Sequence, residues 1–312
     1  MHEHLAATLY YLEIHLLYAS IVCCAAWALS AIPRGSATIK YWIWVAASLN
    51  FLVPVAGFLD GFGGVSVSWA NELRTLGDLG VALSRNAPAT TCLLAVWALG
   101  AALMLARLLW RIGAEEREAG ALAAEQACAP ASGFRRRGIP VRFARTRQAP
   151  AVAGVLRPHI SLPEGIDQLL SEAELDAVLL HELTHARRRD NLLRLLHELV
   201  LCGLWFHPLV WLTRSRLALY RELSCDEPVI RSARGEQLVS ALAKLANPQG
   251  EFVLRASAAS FLSDRLDRLT EEGPSRPSRA VNSLLTVVFC AVLTASLIET
   301  IAHTACCIAV PR

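Results

Sequence analysis

His181-Glu182-Leu183-Thr184-His185 has the residue types and the spacing of a metal site. On a helix, residues i and i+4 lie a turn apart on one face, so both imidazoles can reach a single zinc ion. Glu182 projects beside them, where its carboxylate can take a proton from water acidified by the metal and return it to a leaving amine. That is the chemistry of peptide hydrolysis. The motif also arises by chance, so it gains weight only from a third ligand. The metzincin arrangement is excluded, because its required glycine and third histidine fall on Arg188 and Asn191. The other common solution is a glutamate on a following helix. Tyr220-Arg221-Glu222-Leu223-Ser224-Cys225-Asp226 offers one. Glu222 would complete a His₂Glu set and leave the fourth position to water, and Asp226 would hold a ligand imidazole in its tautomer. Taken alone, such a glutamate is more often a helix-face carboxylate, solvated or paired with an arginine. Its case rests on the elements that carry it.

Ser171-Glu172-Ala173-Glu174 reads as a capping box, and Leu175, Val178, Leu179 and Leu183 follow as a periodic apolar face. This predicts a helix running through the motif. The next stretch, Asn191 to Thr213, is apolar enough to pass for a membrane span. A single crossing there would carry Glu222 about 30 Å away from His181. His207-Pro208 argues for a break, since proline suits the first turn of a new helix. The expectation is two helices, about 191–206 and 208–232, forming an apolar membrane-associated hairpin that returns Glu222 to the histidines. Upstream, Val141–Arg145 and the hairpin-like run from Ala151 to Pro163 read as short strands, and Pro130–Gly138 as a loop. Gly154, Val155 and Leu156 are candidate substrate-binding residues, as an edge strand for an extended peptide. An ordinary hairpin packed on the motif helix is the equal alternative.

The composition puts these elements at a membrane. Of 312 residues, 54% are hydrophobic and 18% charged, and mean hydropathy is +0.40. Four segments are apolar enough to span: Leu5–Ile32, Tyr41–Leu59, Thr90–Trp110 and Val281–Ile301. Basic residues cluster after the third, from Arg107 through Arg135-Arg136-Arg137 to Arg147, and before the fourth at Arg276 and Arg279. By the positive-inside rule both termini lie outside and the region between the last two spans is cytoplasmic. The domains expected are a three-helix transmembrane region at 1–112, a cytoplasmic zinc metalloprotease domain at 113–280 with the apolar hairpin at about 191–213, and a final transmembrane helix with a short outer tail at 281–312. A net charge of +3 gives no ground for direct nucleic-acid binding, and the arginine run reads as a lipid-facing anchor. The cysteines show no CxxC pair, so a thiolate zinc site is not expected.

Four linked motifs closely resemble one family. They are Gly154-Val155-Leu156-Arg157-Pro158, the motif helix with Arg188-Arg189-Asp190, Trp205-Phe206-His207-Pro208-Leu209-Val210-Trp211, and Glu222-Leu223-Ser224-Cys225-Asp226. Together they resemble the BlaR/MecR-type antirepressor metallopeptidases of the bacterial inner membrane. The resemblance implies an α-helical membrane protein with an inserted α+β, gluzincin-like zinc protease domain. It implies Zn2+ bound by His181, His185 and Glu222, with Glu182 as general base. It also implies cleavage of a cytoplasmic protein, often a winged-helix repressor, in signal transduction; self-cleavage and a homodimer stay open. The antibiotic sensors carry a penicillin-binding domain after the last span. About ten residues follow Ile301 here, so a chain without that sensor domain is expected.

Other residues have plainer readings. Asp190 is expected to cap or to pair with an arginine, and His197 and His207 to be hydrogen-bonded core residues. Leu59-Asp60-Gly61 would suit a site-2-type protease, but it precedes the motif and falls at the outer face. An HtpX- or CAAX-protease-like enzyme of broader specificity shares the ligand pattern. A non-cleaving signalling scaffold would have no need of Glu182.

Overall fold

The computed structural model describes residues 2–52, 87–126, 133–136, 138–144, 149–246, 261–270 and 278–308. The described residues are mostly helical, with one small mixed sheet. In chain order the elements are α1 (His2–Ser30), α2 (Ala37–Asn50), α3 (Ala87–Gln126), β1 (Gly133–Arg136), β2 (Ile139–Ala144), β3 (Ala151–Ala153) and β4 (His159–Pro163). Then follow α4 (Ile166–Leu169), α5 (Glu172–Arg188), α6 (Asp190–Gly203), α7 (Pro208–Arg231), α8 (Gly235–Leu245), α9 (Leu262–Thr270) and α10 (Arg279–Ile308).

Two described helices contain stretches long and apolar enough to cross a membrane, Pro88–Ala114 in α3 and Arg279–Ile298 in α10. Beyond its apolar stretch α3 continues to Gln126. The first expected span is helical, though its apolar part, His15–Ser30, is shorter. The second corresponds to α2, whose 14 described residues rise about 21 Å, less than a crossing. Residues 53–59 of that expected span, and Leu59-Asp60-Gly61 with them, lie outside the described residues. α2 buries Tyr41, Ile43, Trp44 and Val45 against α1, α6, α7 and α10 in one core that also holds Val22, Val200, Val210 and Leu285.

A second core lies under the sheet. Val141, Ile160 and Leu162 point from β2 and β4 onto Val178 and Leu183 of α5, Val229 of α7 and Leu238 of α8. The sheet order is β1-β2-β4-β3, with β2 and β4 parallel and both outer pairs antiparallel. Val210 and Leu223 of α7 belong to the first core and Val229 to the second, so this helix of 24 residues joins them.

The loop expected over Pro130–Gly138 is corrected in part. Gly133–Arg136 is β1, zipped onto β2 with Phe134 opposite Val141, and Gly138 makes the turn at φ 89°. Pairing across that turn, invisible in an arginine-rich run, makes the strand. The edge strand expected at Gly154-Val155-Leu156 is also corrected. Gly154 has φ 83°, and a Cβ there would lie 2.6 Å from the Arg157 carbonyl oxygen, so the chain turns. Those three residues form the connection between β3 and β4, and the sheet edge is Ala151–Ala153.

Candidate metal centre

α5 begins as its sequence predicts. The Ser171 N–H donates to Glu174 Oε2 at 2.7 Å, and Ser171 Oγ accepts from the Glu174 N–H at 3.4 Å. The helix then carries His181, Glu182 and His185 on its buried side, each less than 10% exposed. It stops at Arg189, whose left-handed φ of 56° is a conformation that costs a non-glycine residue about 1–3 kcal/mol. The abrupt reversal lets α6 start at once and swings Asp190 back onto the motif.

The expected helical hairpin is present as α6 and α7, broken at Leu204–His207 with Pro208 opening α7. Its tip rests on α3. Trp97 Nε1 donates to the Gly203 carbonyl at 2.9 Å, and Trp205 Nε1 donates to the Trp97 carbonyl at 3.2 Å. Gly100 permits this approach, because a Cβ there would collide with the Trp205 indole. The return along α7 brings Glu222 beside the histidines.

Three donor atoms converge. His181 Nε2 and His185 Nε2 are 3.1 Å apart, and Glu222 Oε2 lies 3.6 Å from the first and 3.9 Å from the second. Ligands around a tetrahedral zinc at 2.0–2.1 Å stand about 3.3–3.4 Å from one another. The observed separations bracket that value, and two imidazole nitrogens with a carboxylate are the donors zinc prefers. The residues fit the ion. A second group, His185, Asp190 and Cys225, is also close. There the guanidinium of Arg188 already bridges the other two, with NH2 2.6 Å from Asp190 Oδ2 and 3.0 Å from Cys225 Sγ.

Partners behind the donors fix their orientation. Asp226 Oδ1 lies 2.9 Å from His181 Nδ1, an ion-pair contact rather than an aligned hydrogen bond. His185 Nδ1 donates to Asp190 Oδ2 at 2.6 Å. Arg221 Nε and NH2 both donate to Glu222 Oε1 at 3.2 Å, which leaves Oε2 to the histidines. Arg265 of α9, 2% exposed, donates from Nε and NH2 to Asp226 at 2.9 and 2.8 Å, and its NH1 lies 3.6 Å from Glu222 Oε2.

The same surroundings set the charges. Burial opposes protonation of His181, as does Arg265, yet Asp226 and Glu222 outweigh both and raise its pKa to about 9. Burial also works against charge on Glu222, but His181, His185, Arg221 and Arg265 hold its carboxyl well below the usual range. Burial pushes Glu182 up, against the opposing pull of the two histidines. The groove over the site, about 130 Å³, is walled by Ala149–Val152 on one side and by Val178, Leu238 and Leu242 on the other. Gly154, Val155 and Leu156 do not line it, and Leu156 is 72% exposed.

The sequence reading thus named His181, Glu182, His185, Glu222 and Asp226, and the structure brings all five together. It expected Asp190 to pair with an arginine; Asp190 does so and also holds His185. His197 is buried and bonded to Ser48 Oγ at 2.7 Å through Nδ1, as a core histidine. Arg265, Tyr41 and Asn191 were missed. Asn191 Nδ2 donates to the carbonyls of Val152 at 3.1 Å and Gly154 at 3.2 Å, and so ties the sheet edge to the start of α6.

The described residues thus combine two stretches long and apolar enough to cross a membrane with a buried set of donors able to hold a metal ion. The chain belongs to the BlaR1 peptidase M56 family, whose model matches residues 11–269. It is 30% identical over 178 residues to the regulatory protein BlaR1 of Bacillus licheniformis, covering 54% of this chain and 29% of that protein. It is 24% identical over 98 residues to the methicillin resistance mecR1 protein of Staphylococcus aureus, covering 31% and 17%. The chain therefore spans less than a third of the length of these curated relatives.

Proposed function

We propose that this chain is a zinc endopeptidase of the bacterial inner membrane that cuts a cytoplasmic protein to pass on a signal. The observation that carries the reading is the convergence of His181 Nε2, His185 Nε2 and Glu222 Oε2 beside Glu182 in one groove. His181, His185 and Glu222 would hold the ion, in a gluzincin-like domain within residues 113–280. Zinc there supplies Lewis acidity toward water and a peptide carbonyl. Glu182, with its pKa raised by burial, accepts a proton from the attacking water and gives it to the departing amine. Asp226, Asp190 and Arg221 keep the three ligands facing inward. The peptide lies along Ala149–Val152, with its side chains against the leucines of α8.

Residues 1–112 and 281–312 anchor the domain, with both termini outside, and the α6–α7 hairpin dips into the membrane beside α3 without crossing. The names of the relatives, a regulatory protein and a resistance protein, support a role in signalling, and the substrate we propose is a cytoplasmic protein such as a winged-helix repressor. Proteomes of cells carrying wild-type protein or Glu182→Gln test the reading. The variant should keep its metal and its fold, and cleaved fragments of a cytoplasmic protein should disappear. Undiminished cleavage with Glu182→Gln would remove the hydrolytic mechanism.

A further inference from the structure

Asp190, which holds His185, accepts four hydrogen bonds. Its Oδ2 takes His185 Nδ1 at 2.6 Å and Arg188 NH2 at 2.6 Å; its Oδ1 takes Arg188 Nε at 3.1 Å and Tyr41 Oη at 2.9 Å. Of these donors, three belong to the local segment 185–190 at the end of α5. Tyr41 alone comes from a distant element, α2. The contact is dry and well supported: Tyr41 is 2% exposed, Asp190 4%, and the Arg188 guanidinium lies 4.3 Å from the centre of the tyrosine ring.

α2 is fastened to the catalytic helices at two further levels, and neither fastening touches a candidate ligand. At its start, Ser36 Oγ and Thr38 Oγ1 donate to Glu227 Oε2 at 2.8 and 2.7 Å, and the Ala37 N–H donates to Glu227 Oε1. Near its end, Ser48 bonds His197. Between them, the tyrosine reaches the one carboxylate that sets the ring orientation of His185. An O–H···O hydrogen bond spans about 2.5–3.0 Å and this one is already 2.9 Å long, so an α2 displacement of several tenths of an ångström is felt at Asp190.

We propose that Tyr41 is a positioning residue through which the placement of α2 sets the orientation of His185, and with it the metal affinity of the site. The proposal rests on the zinc reading above and deepens it. Motion of α2 is delivered to a ligand, so a stimulus that shifts that helix tunes the metal centre without touching it.

The test compares full-length protein, wild type against Tyr41→Phe and Ser48→Ala, in lipid nanodiscs. Zinc affinity is read by competition with a chelator, and site geometry by the visible spectrum after cobalt substitution. Tyr41→Phe keeps the ring under Arg188 and removes only the hydroxyl. Loss of a partner behind a ligand costs roughly 10–100-fold in metal affinity, and one bond further out about tenfold is expected, with a changed cobalt spectrum. Ser48→Ala removes one fastening of the same helix but leaves the Glu227 fastening and the Tyr41 hydroxyl in place, so it should lower affinity and change the spectrum less than Tyr41→Phe does. In an Asp190→Asn background, Tyr41→Phe should have no further effect, a comparison that also covers any general loosening of the fold. Wild-type affinity in Tyr41→Phe, an equal loss in Ser48→Ala, or losses that simply add with Asp190→Asn would each overturn the proposal. Failure of the zinc reading itself would be visible separately, as a wild-type protein that binds neither metal.

Discussion

Replacing Arg265 by methionine removes a buried cation from two carboxylates at once. Arg265 and Asp226 are 2% and 1% exposed, and two hydrogen bonds of 2.9 and 2.8 Å join them. Burial pushes the Asp226 carboxyl up, and Arg265 with His181 holds it below the usual range instead. Without the guanidinium, Asp226 must stay charged in a dry site or take up a proton. Breaking a buried pair from one side costs about 3–5 kcal/mol. At roughly 2–4 °C per kcal/mol for a domain of this size, thermal unfolding followed by tryptophan fluorescence should fall by about 6–20 °C. Arg265→Met with Asp226→Leu should recover most of that loss, since exchanging both partners for apolar groups is often neutral. The double variant should still bind zinc poorly, because His181 has lost the carboxylate behind its Nδ1. A single variant within about 2 °C of wild type, or a double variant no more stable than the single, would refute the claim that this pair holds α9 to the site.

Two further outcomes follow from charge. In the metal-free protein His181 is raised to about 9, so at pH 7 it carries a proton that an incoming metal ion would displace. Calorimetry in two buffers of different ionisation enthalpy should report release of close to one proton from this group, and an enthalpy independent of buffer would contradict the assignment. Glu174 is lowered to about 2, chiefly by Lys244, then by Ser240, with Ser171 of the capping box contributing. Its folded pKa lies below the ordinary carboxylate value of 4.5. The stability it contributes is therefore present above about 4.5 and lost as pH falls toward 2. Glu174→Gln should flatten that acid slope; an unchanged slope would place the acid sensitivity elsewhere.

The two histidines were legible from local spacing, and Glu222, 37 residues beyond His185, through the helical hairpin that returns the chain. His181 and His185 share a helix face, and Asp226 sits one turn beyond Glu222. The hairpin was legible because Pro208 cannot continue α6. Arg265 carried no such signal. It lies 39 residues beyond Asp226, on a short helix whose sequence looks like an ordinary charged surface helix; only the packing of α9 against α7 and α8 buries it. Tyr41 was hidden for the opposite reason. It stands in a run that reads as membrane span, where an aromatic residue is unremarked, and its partner is 149 residues away. The edge strand expected from Gly154 to Leu162 lies instead at Ala151–Ala153, because the positive φ of Gly154 ends the strand and Leu162 belongs to the inner strand β4.

The reversal at Arg189 explains how one short segment both holds His185 and meets α2. Asp190 stands five positions beyond His185, more than a helical turn. In a continuous helix it would lie about 140° around the axis from His185, away from the imidazole it holds. The left-handed residue breaks that progression, so the chain supplies the carboxylate that holds its own His185 and presents that carboxylate's other oxygen, Oδ1, to α2. Glycine at position 189 would relieve the strain yet loosen the reversal, since glycine has more conformational freedom to lose. Arginine pays that strain once, in a site where Arg188, Tyr41 and His185 all fix the result. The ligand and its tie to α2 are thus set by the same bend.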